Sequence, residues 1–559
     1  MVRRILDRLT APVRGLHQAA YLLAGLTLAS QALALLRDRT FAHTFGAGQT
    51  LDLYYAAFRV PDIVFALVSS LVSAYVLIPR LMGLDREKTR RLLSESSSFL
   101  FGVGGAICLM LAVFMPQFLA LLYPDLLASP LHGQFVLLAR LLLVQPILLG
   151  LSGVLGSVTQ VHRRFMIFAL SPVLYNLGII LGTVFLYPHF GLVGIGIGVI
   201  VGAVAYLLVN VPVVIEAGVM PRLIMPTRAL MTSVVRDSVP RSLALGMNSI
   251  TLLALTALAS RVGTGSVSVF SFASNLEAVP LALIGSSYAV AAFPALSEAH
   301  VGGKHDEFTR ILSASARHII LWSVVALGLI TVLRAHLVRV ILGTGAFDWD
   351  ATRLTAALLV VLTVGLAADG LELLFARALY AARQSWRPLV YQIAGAIVTV
   401  GCALYFLALP QSGFPTMLAN LLKVGDVPSM TILLLALAAT IGQIFLTILS
   451  LIALRRVAPG LASTLVKPLF DGTLAAIVGG VAAYGVLVIE GGIAPLTTLI
   501  SVFLQGFIAG VVGLAVAGIT LAVLENEEFH VVVNALAKLW QAKTASAVLE
   551  PSAEETPVS

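Results

Sequence analysis

Long apolar runs separated by short polar loops dominate the pattern of the chain. A helix that crosses a lipid bilayer needs about 20 predominantly apolar residues, and we find fourteen segments that meet this requirement. They lie at 17–36, 53–79, 96–117, 134–159, 165–187, 190–215, 240–260, 268–296, 318–333, 354–381, 386–409, 430–454, 468–489 and 496–524. The pattern therefore predicts an all-α membrane protein with about 14 transmembrane helices.

Three pairs of short segments indicate an internal repeat. RRLLSESS (90–97) recurs as TRILSASA (309–316), VLIPRL (76–81) as AAFPAL (291–296), and SPVLYNLG (171–178) as RPLVYQIA (387–394). The spacing between the two members is nearly the same in all three pairs, so one repeat explains them together. Each repeat would hold six spans, an even number, which predicts two pseudo-symmetric six-helix lobes in the same orientation, plus two C-terminal helices.

These limits divide the chain into five predicted parts. They are an N-lobe of spans 1–6 (1–216), an interlobe amphipathic linker (217–239), a C-lobe of spans 7–12 (240–456), spans 13–14 (457–524), and a cytoplasmic amphipathic helix and tail (525–559). Prolines interrupt the linker, and its short amphipathic stretch is expected on the inner leaflet.

The basic residues predict the orientation of these spans. With the N-terminus inside, 26 Lys and Arg fall in cytoplasmic segments and seven on the opposite face, so both termini are expected in the cytoplasm. Only 11% of residues are charged and 59% are hydrophobic, which excludes a soluble globule. The net charge of +8 is explained by this topology, and no nucleic-acid partner is predicted.

The sequence contains no pattern typical of catalysis. H-E-x-x-H, a P-loop lysine motif and a loop with a paired acidic motif are all missing, so we expect neither an enzyme, nor a metal site, nor a cofactor. Gly-x-Gly occurs in GVGGAIC (102–108) and GIGIGVIVGA (194–203), but both lie inside spans. Close helix packing is their expected role.

Charged residues at membrane depth are the candidate functional groups. RDRTFAHTFGAGQTLDLYYAAFRVPD (37–62) contains Arg37, Asp38, Asp52 and Arg59. Each charge would cost about 2.5 to 3.5 kcal/mol at a lipid-facing helix centre, so these side chains should face a partner or a cavity. Two interpretations stand: a structural salt-bridge cluster, or a cationic cavity whose arginine forks meet phosphate oxygens.

Three carboxylates lie in later spans. Glu277 falls in the eighth span, and Asp369 and Glu372 fall in the tenth. Carboxylates inside a helical bundle suit proton or sodium coupling, and packing or pairing roles are equally compatible with their positions.

The stretch LLRDRTFAHTFGAGQTLDLYYAAFRVPD, followed by VLIPRL, resembles the N-terminal signature of the MurJ/MviN family of lipid II flippases. The likeness continues in RRFMIFALSPVLYN, FPALSEAHVGGKHDEFTRIL and ARALYAARQSWRP. It implies the fold of the multidrug/oligosaccharidyl-lipid/polysaccharide exporter superfamily and a place in the bacterial cytoplasmic (inner) membrane. It also implies transfer of an undecaprenyl-pyrophosphate-linked peptidoglycan precursor between leaflets by alternating access, biased by the membrane potential.

The resemblance further implies which residues bind the substrate. Its pyrophosphate would meet a central cavity formed by Arg37, Asp38, Asp52, Arg59 and Asn275, and its polyprenyl tail a groove beside the last two helices. The expected partners are this anionic lipid and membrane lipids, with cell-wall synthesis proteins as further candidates.

Several family positions are changed in this chain. Gln31, Phe65, Ala66 and Asn275 stand where the family usually has basic residues, which removes much of the cationic cavity. Two alternatives therefore remain beside the flippase. One is a related exporter of another polysaccharide-lipid, or of a small cation or drug, by ion antiport; the other is a non-transporting scaffold that docks cell-wall enzymes.

Overall fold

The computed structural model describes residues 16–72, 74–162, 164–410, 412–491, 498–535 and 537. Its principal helices are α1 (Leu16–Phe45), α2 (Gln49–Leu81), α3 (Arg86–Leu122), α4 (His132–Val161), α5 (Leu170–Phe190), α6 (Leu192–Glu216), α7 (Arg228–Ser260), α8 (Ser266–Val301), α9 (His305–Ile341), α10 (Trp349–Thr363 and Leu366–Ala381), α11 (Trp386–Ala408), α12 (Ile432–Leu454), α13 (Val466–Gly491) and α14 (Leu499–Val523). Shorter helices lie at Pro124–Leu127, Phe414–Leu421 and Leu461–Thr464.

The helices agree with the predicted spans. Twelve of them in the described residues are long and apolar enough to cross a membrane, and the two parts of α10, bent by 46°, make a thirteenth if they form one span. Every predicted span falls on one of α1 to α14, the first of them on α1. The prediction of an all-α, multi-pass membrane protein is confirmed.

The positions of the helices support the predicted repeat. α3 and α9 have the same length, 37 residues. Three pairs of helices, α2 with α8, α3 with α9 and α4 with α10, start at nearly the same spacing along the chain, at Gln49 and Ser266, Arg86 and His305, and His132 and Trp349. This spacing agrees with that of the repeated sequence segments.

The chain forms two compact units. The first contains the described residues up to Val279, with Arg334–Ala368 and Leu379–Ile452. The second contains Pro280–Leu333, Asp369–Ala378 and the described residues from Ala453 onward. The unit boundaries pass through α8, α9 and α10 and differ from the limits predicted for the lobes, so those five parts stay a prediction.

Glycines allow two neighbouring helices of the first unit to approach closely. A Cβ atom on Gly182 of α5 would lie 2.6 Å from the Cα atom of Gly198 on α6, so any side chain there would force the helices apart. The packing role predicted for 194–203 is confirmed. In the other glycine motif, a Cβ atom on Gly102 or Gly105 would meet nothing within 4 Å, so the packing prediction is wrong for these two glycines.

The predicted linker begins with a non-helical segment, 219–227, that is bound to α3. The side chains of Ser94, Glu95 and Ser98 on α3 accept its hydrogen bonds. The pairs are Arg222 N to Ser94 Oγ (2.8 Å), Ile224 N to Ser98 Oγ (3.0 Å), and Thr227 N and Oγ1 to Glu95 Oε2 (3.1 and 2.7 Å). Residues 217–218 of the predicted linker form the turn after α6, and residues 228–239 belong to the first turns of α7, which begins at Arg228.

In the second unit, α13 packs against α14, and Leu321 and Val325 of α9 join their core. Residues 527–535 form the helix predicted after the last span. Asn526, which is fully buried, accepts a hydrogen bond from Phe529 N (3.0 Å) and donates one to Asp471 Oδ2 of α13 (2.8 Å). The predicted N-terminal arm before Leu16 and the tail from 538 onward lie outside the described residues.

Candidate functional site

Asp38 lies at the centre of a hydrogen-bonded cluster on three helices, and only 2% of it is exposed. Its Oδ1 accepts hydrogen bonds from Nε and Nη2 of Arg37 at 3.0 and 2.8 Å. Its Oδ2 accepts one from Nδ2 of Asn275, on α8, at 2.9 Å. Nη1 of Arg37 donates to Oδ1 of Asn176, on α5, at 3.1 Å. Both oxygens of the buried carboxylate have donors, and the adjacent guanidinium balances its charge.

Aromatic rings hold the Arg37 side chain in place. Its guanidinium carbon lies 6.0 Å from the ring centroid of Phe41, and that ring contacts Tyr54 edge to face at 4.9 Å. Phe41 is 1% exposed. A cation beside an aromatic ring is attracted to its electron-rich face, so α1 and α2 together fix the position of this charge.

Asp52 binds the N-terminus of α8. Its Oδ2 accepts a hydrogen bond from Gly265 N at 2.6 Å, and its Oδ1 accepts bonds from Ser268 N and Oγ at 2.8 and 2.6 Å. The first N–H groups of a helix lack partners within the helix and favour a negative charge. In this structure Asp52 therefore acts as a cap that joins α2 to α8, and substrate binding by Asp52 stays a prediction.

Arg59 connects α2 with α7. Its Nε donates to Oγ1 of Thr256 at 2.9 Å, and its Nη1 lies 3.8 Å from Oδ2 of Asp62, one turn further along α2. The Arg59 side chain is 11% exposed. The pairing of Arg59 with Asp62 that their spacing suggests is therefore present.

The neighbouring Arg39 has a different partner. Its Nη1 donates to the carbonyl oxygens of Val340 and Ile341, at 2.6 and 3.2 Å, where α9 ends. A cation at the C-terminus of a helix satisfies free carbonyl groups and the helix dipole. Arg39 is therefore a structural residue that joins α1 to the end of α9.

Each of the two arginines, Arg37 and Arg59, has a carboxylate partner. Arg37 has Asp38 at 2.8 Å, and Arg59 has Asp62 at 3.8 Å, while Asp52 adds a further carboxylate at the start of α8. Salt bridges are therefore present, as the first interpretation of the sequence predicts. An anionic ligand at Arg37 would compete with Asp38 and Asn176 for the N–H groups of the guanidinium.

Of the three predicted coupling residues, Glu277 and Glu372 are buried and Asp369 is half-buried. Glu277 is 9% exposed and lies in the first unit, whereas Asp369 and Glu372 lie in the second, where Glu372 is 4% exposed. Among the described residues, no group of three or more His, Cys, Asp or Glu side chains could hold a metal ion. A coupling role for these residues stays a prediction.

Sequence reasoning did not single out Asn176, Thr256 or Ser268, which bind Arg37, Arg59 and Asp52. Asn176 lies in the repeated segment SPVLYNLG, and an amide inside an apolar span is itself a signal. Thr256 and Ser268 give no comparable signal, because hydroxyl groups are common in membrane helices and bond to their own backbone there.

Comparisons with known proteins agree with this architecture. The family model described as "Lipid II flippase MurJ" matches residues 41–484. The lipid II flippase MurJ of Burkholderia cenocepacia is 27% identical over 404 residues, which cover 69% of this chain and 77% of the relative. A relative from Thermotoga maritima, described as a probable lipid II flippase MurJ, is 26% identical over 365 residues, or 65% of this chain and 73% of the relative.

Solved structures show the same fold. A structure of lipid II flippase MurJ in an inward closed conformation has a TM-score of 0.71 and 18% identity, covering 90% of this chain and 100% of its own. An inward-facing multidrug resistance MATE family transporter of the MOP superfamily has a TM-score of 0.64 and 18% identity, covering 78% and 96%. The chain is therefore a multi-pass membrane protein with the fold that these two structures share.

Within that class, the match over most of the chain settles the family. The chain belongs to the lipid II flippase MurJ family.

Proposed function

We propose that the chain moves lipid II, or a closely similar undecaprenyl-pyrophosphate-linked peptidoglycan precursor, across the bacterial cytoplasmic membrane by alternating access. Membership of the lipid II flippase MurJ family supports the substrate class. The excess of basic residues in one set of loops supports an orientation with both termini in the cytoplasm. This is transport rather than catalysis.

The observation that carries the proposal is the buried cluster of Arg37, Asp38 and Asn275. Arg37 and Asp38 belong to the first half of the repeat and Asn275 to the second, so the hydrogen bond from Asn275 to Asp38 joins the halves. Transporters built from repeats change access when such contacts break on one side. A diphosphate that takes the donors of Arg37 leaves the Asp38 carboxylate without its counter-charge, and Asp38 is the residue through which Asn275 of the other half is held.

The expected energy source is the membrane potential, which acts on the charge of the lipid diphosphate at about 2.3 kcal/mol per charge per 100 mV. Coupling to sodium or protons through Glu277, Asp369 or Glu372 is the alternative source. A dependence of transport on ion gradients, lost in Glu277→Gln or Glu372→Gln, would assign the coupling to these residues.

Transport by the purified protein in liposomes tests the proposal. A labelled polyprenyl-pyrophosphate precursor should change leaflets faster when a membrane potential is applied, and Arg37→Ala and Arg59→Ala should abolish that exchange while the protein remains folded. Arg310→Ala is a suitable control, since this side chain is 78% exposed and pairs on the surface with Glu307. Leaflet exchange at the wild-type rate in Arg59→Ala would show that Arg59 does not take part in binding the substrate.

Asp38→Asn tests the competition between Asp38 and the lipid. It removes the charge that occupies Arg37, so we expect tighter binding of the labelled precursor and a lower thermal midpoint of unfolding. Weaker binding in a folded Asp38→Asn sample would show that Asp38 helps to hold the substrate and does not compete with it.

A further inference from the structure

A cavity of about 420 Å³ lies in the first unit, at the ends of α2, α4 and α6. We call this cavity the inner pocket and define it by six of its lining residues: Leu81, Arg86, His162, Arg164, Glu216 and Val219. The two aliphatic members, Leu81 and Val219, form what we call its aliphatic base. The charge bias of the loops supports a cytoplasmic location for this end of the helices. None of the residues of the Asp38 cluster lines this pocket.

Two arginines of the inner pocket converge on the same short wall. Nη2 of Arg164 lies 2.7 Å from Oε1 of Glu216. Nη1 of Arg86 lies 3.9 Å from the position that a Cβ atom on Gly218 would take, and Gly218 turns the chain there with φ +70°. With two guanidinium groups and one carboxylate, the wall has an excess positive charge.

His162 adds a third nitrogen group to the inner pocket. Its Nδ1 lies 3.0 Å from the carbonyl oxygen of Val158. Because a carbonyl group can only accept, Nδ1 donates this hydrogen bond.

The other side of the inner pocket is apolar. Leu81 and Val219 are buried, whereas Met82 and Leu84 beside the opening are 70% and 37% exposed. A lining that combines basic side chains with buried aliphatic ones fits an amphipathic ligand better than a small soluble anion. A phospholipid with an anionic headgroup has this combination of chemistry.

The surrounding backbone holds the inner pocket in shape. Val219 N donates to the carbonyl oxygen of Val214 at 3.2 Å, which closes the turn after α6. The chain then continues directly into segment 219–227, whose N–H groups are bound by Ser94, Glu95 and Ser98 of α3. The wall that carries Glu216 is thereby fixed on both sides.

We propose that the inner pocket binds the phosphate of an anionic phospholipid from the adjacent leaflet. Arg86 and Arg164 donate hydrogen bonds to the phosphate oxygens, and the first carbons of the acyl chains lie on the aliphatic base. Glu216 competes with the phosphate for Arg164, so it lowers the affinity of the pocket.

Photolabelling of the full chain in vesicles tests this site. The vesicles contain phosphatidylcholine with a trace of phosphatidylglycerol that carries a photoreactive group near the start of one acyl chain, and the labelled peptides are identified by mass spectrometry. We expect labelling at 81–89, 158–164 and 213–219, and a loss of about tenfold for each of Arg86→Gln and Arg164→Gln. Lys88→Gln is the matched control, because Lys88 is on the same helix but does not line the pocket.

Glu216→Gln separates binding from folding. A structural role alone predicts that breaking the ion pair of Arg164 and Glu216 reduces labelling in either variant, whereas our proposal predicts increased labelling in Glu216→Gln. Equal labelling by photoreactive phosphatidylcholine, or unchanged labelling in the arginine variants, would overturn the proposal. Displacement of the lipid by inorganic phosphate would show that the pocket recognises a soluble anion instead.

Discussion

Replacement of Asp52 should weaken the attachment of α8 without acting on the substrate. Asp52→Ala removes the acceptor of three hydrogen bonds, from Gly265 N, Ser268 N and Ser268 Oγ, at 2.6 to 2.8 Å. Each bond to a charged group contributes about 1.5 to 3 kcal/mol, and buried networks lose less than the simple total. We therefore expect a loss of about 3 to 5 kcal/mol in the free energy of unfolding.

Asp52→Asn is the more selective change. An amide presents one oxygen and one NH2 group, so one of the two backbone N–H groups, of Gly265 or Ser268, would face another donor. The expected loss is about 2 kcal/mol. Asp62→Asn is the matched control, because it removes the same charge from the same helix at a side chain that is 40% exposed.

The assay is reversible unfolding of the purified protein in detergent, with binding of the labelled lipid measured on the same samples. Ser268→Ala should cost less in the Asp52→Ala background than in the unchanged chain, because its partner is already missing. If the free energy of unfolding of Asp52→Ala lies within about 0.5 kcal/mol of that of the unchanged protein, Asp52 does not stabilise the N-terminus of α8 and the capping assignment is wrong. Reduced lipid affinity at unchanged stability would instead support the substrate role predicted from the sequence.

Two further predictions concern packing and pH. Gly182→Ala should lower the thermal midpoint of unfolding, because its new methyl group would lie 2.6 Å from the Cα atom of Gly198. Gly153→Ala is the control and should leave the midpoint unchanged or raise it, because a Cβ atom there meets nothing within 4 Å. Equal midpoints for both variants would refute the close contact between Gly182 and Gly198. The pKa of the Asp426 carboxyl is lowered, since Arg353 donates hydrogen bonds to both its oxygens at 2.8 and 2.6 Å. The contribution of this ion pair to stability is present above the unfolded pKa of about 3.9 and is lost as the pH falls through the lower folded value. Arg353→Gln should therefore make the thermal midpoint of unfolding fall less steeply as the pH is lowered through this range. An unchanged acid limb would refute the contribution of the Arg353–Asp426 pair.

The spans were predictable from the sequence because the thickness of the bilayer sets their apolar length. The ends of the helices were not. α3 begins at Arg86, well before the predicted span at 96, and α1 continues past residue 36 to Phe45. A helix requires only its own backbone hydrogen bonds, so polar turns such as REKTRRLLSE extend it beyond the apolar core without a signal in hydropathy.

The candidate site was predictable only in part. Arg37 and Asp38 are neighbours in sequence, and Asp62 follows Arg59 by one helical turn, so local spacing indicates both ion pairs. Asn275 is far from Asp38 in the chain, and no periodicity connects them. Asn275 was a candidate only because of the family resemblance. The cap that Asp52 forms on α8 could be found only from the structure, because a carboxylate bound to a distant helix has the same local sequence as one in a cavity.

The attachment of segment 219–227 to α3 shortens the free connection between the halves of the repeat. The linker predicted from the sequence covers 217–239, and a flexible chain of this length would allow the two halves of the repeat to move far relative to each other. The amides of Arg222, Ile224 and Thr227 are bound by Ser94, Ser98 and Glu95, and α7 starts at Arg228, directly after the last of these attachments. Any movement of the start of α7 away from α3 would therefore have to break these hydrogen bonds.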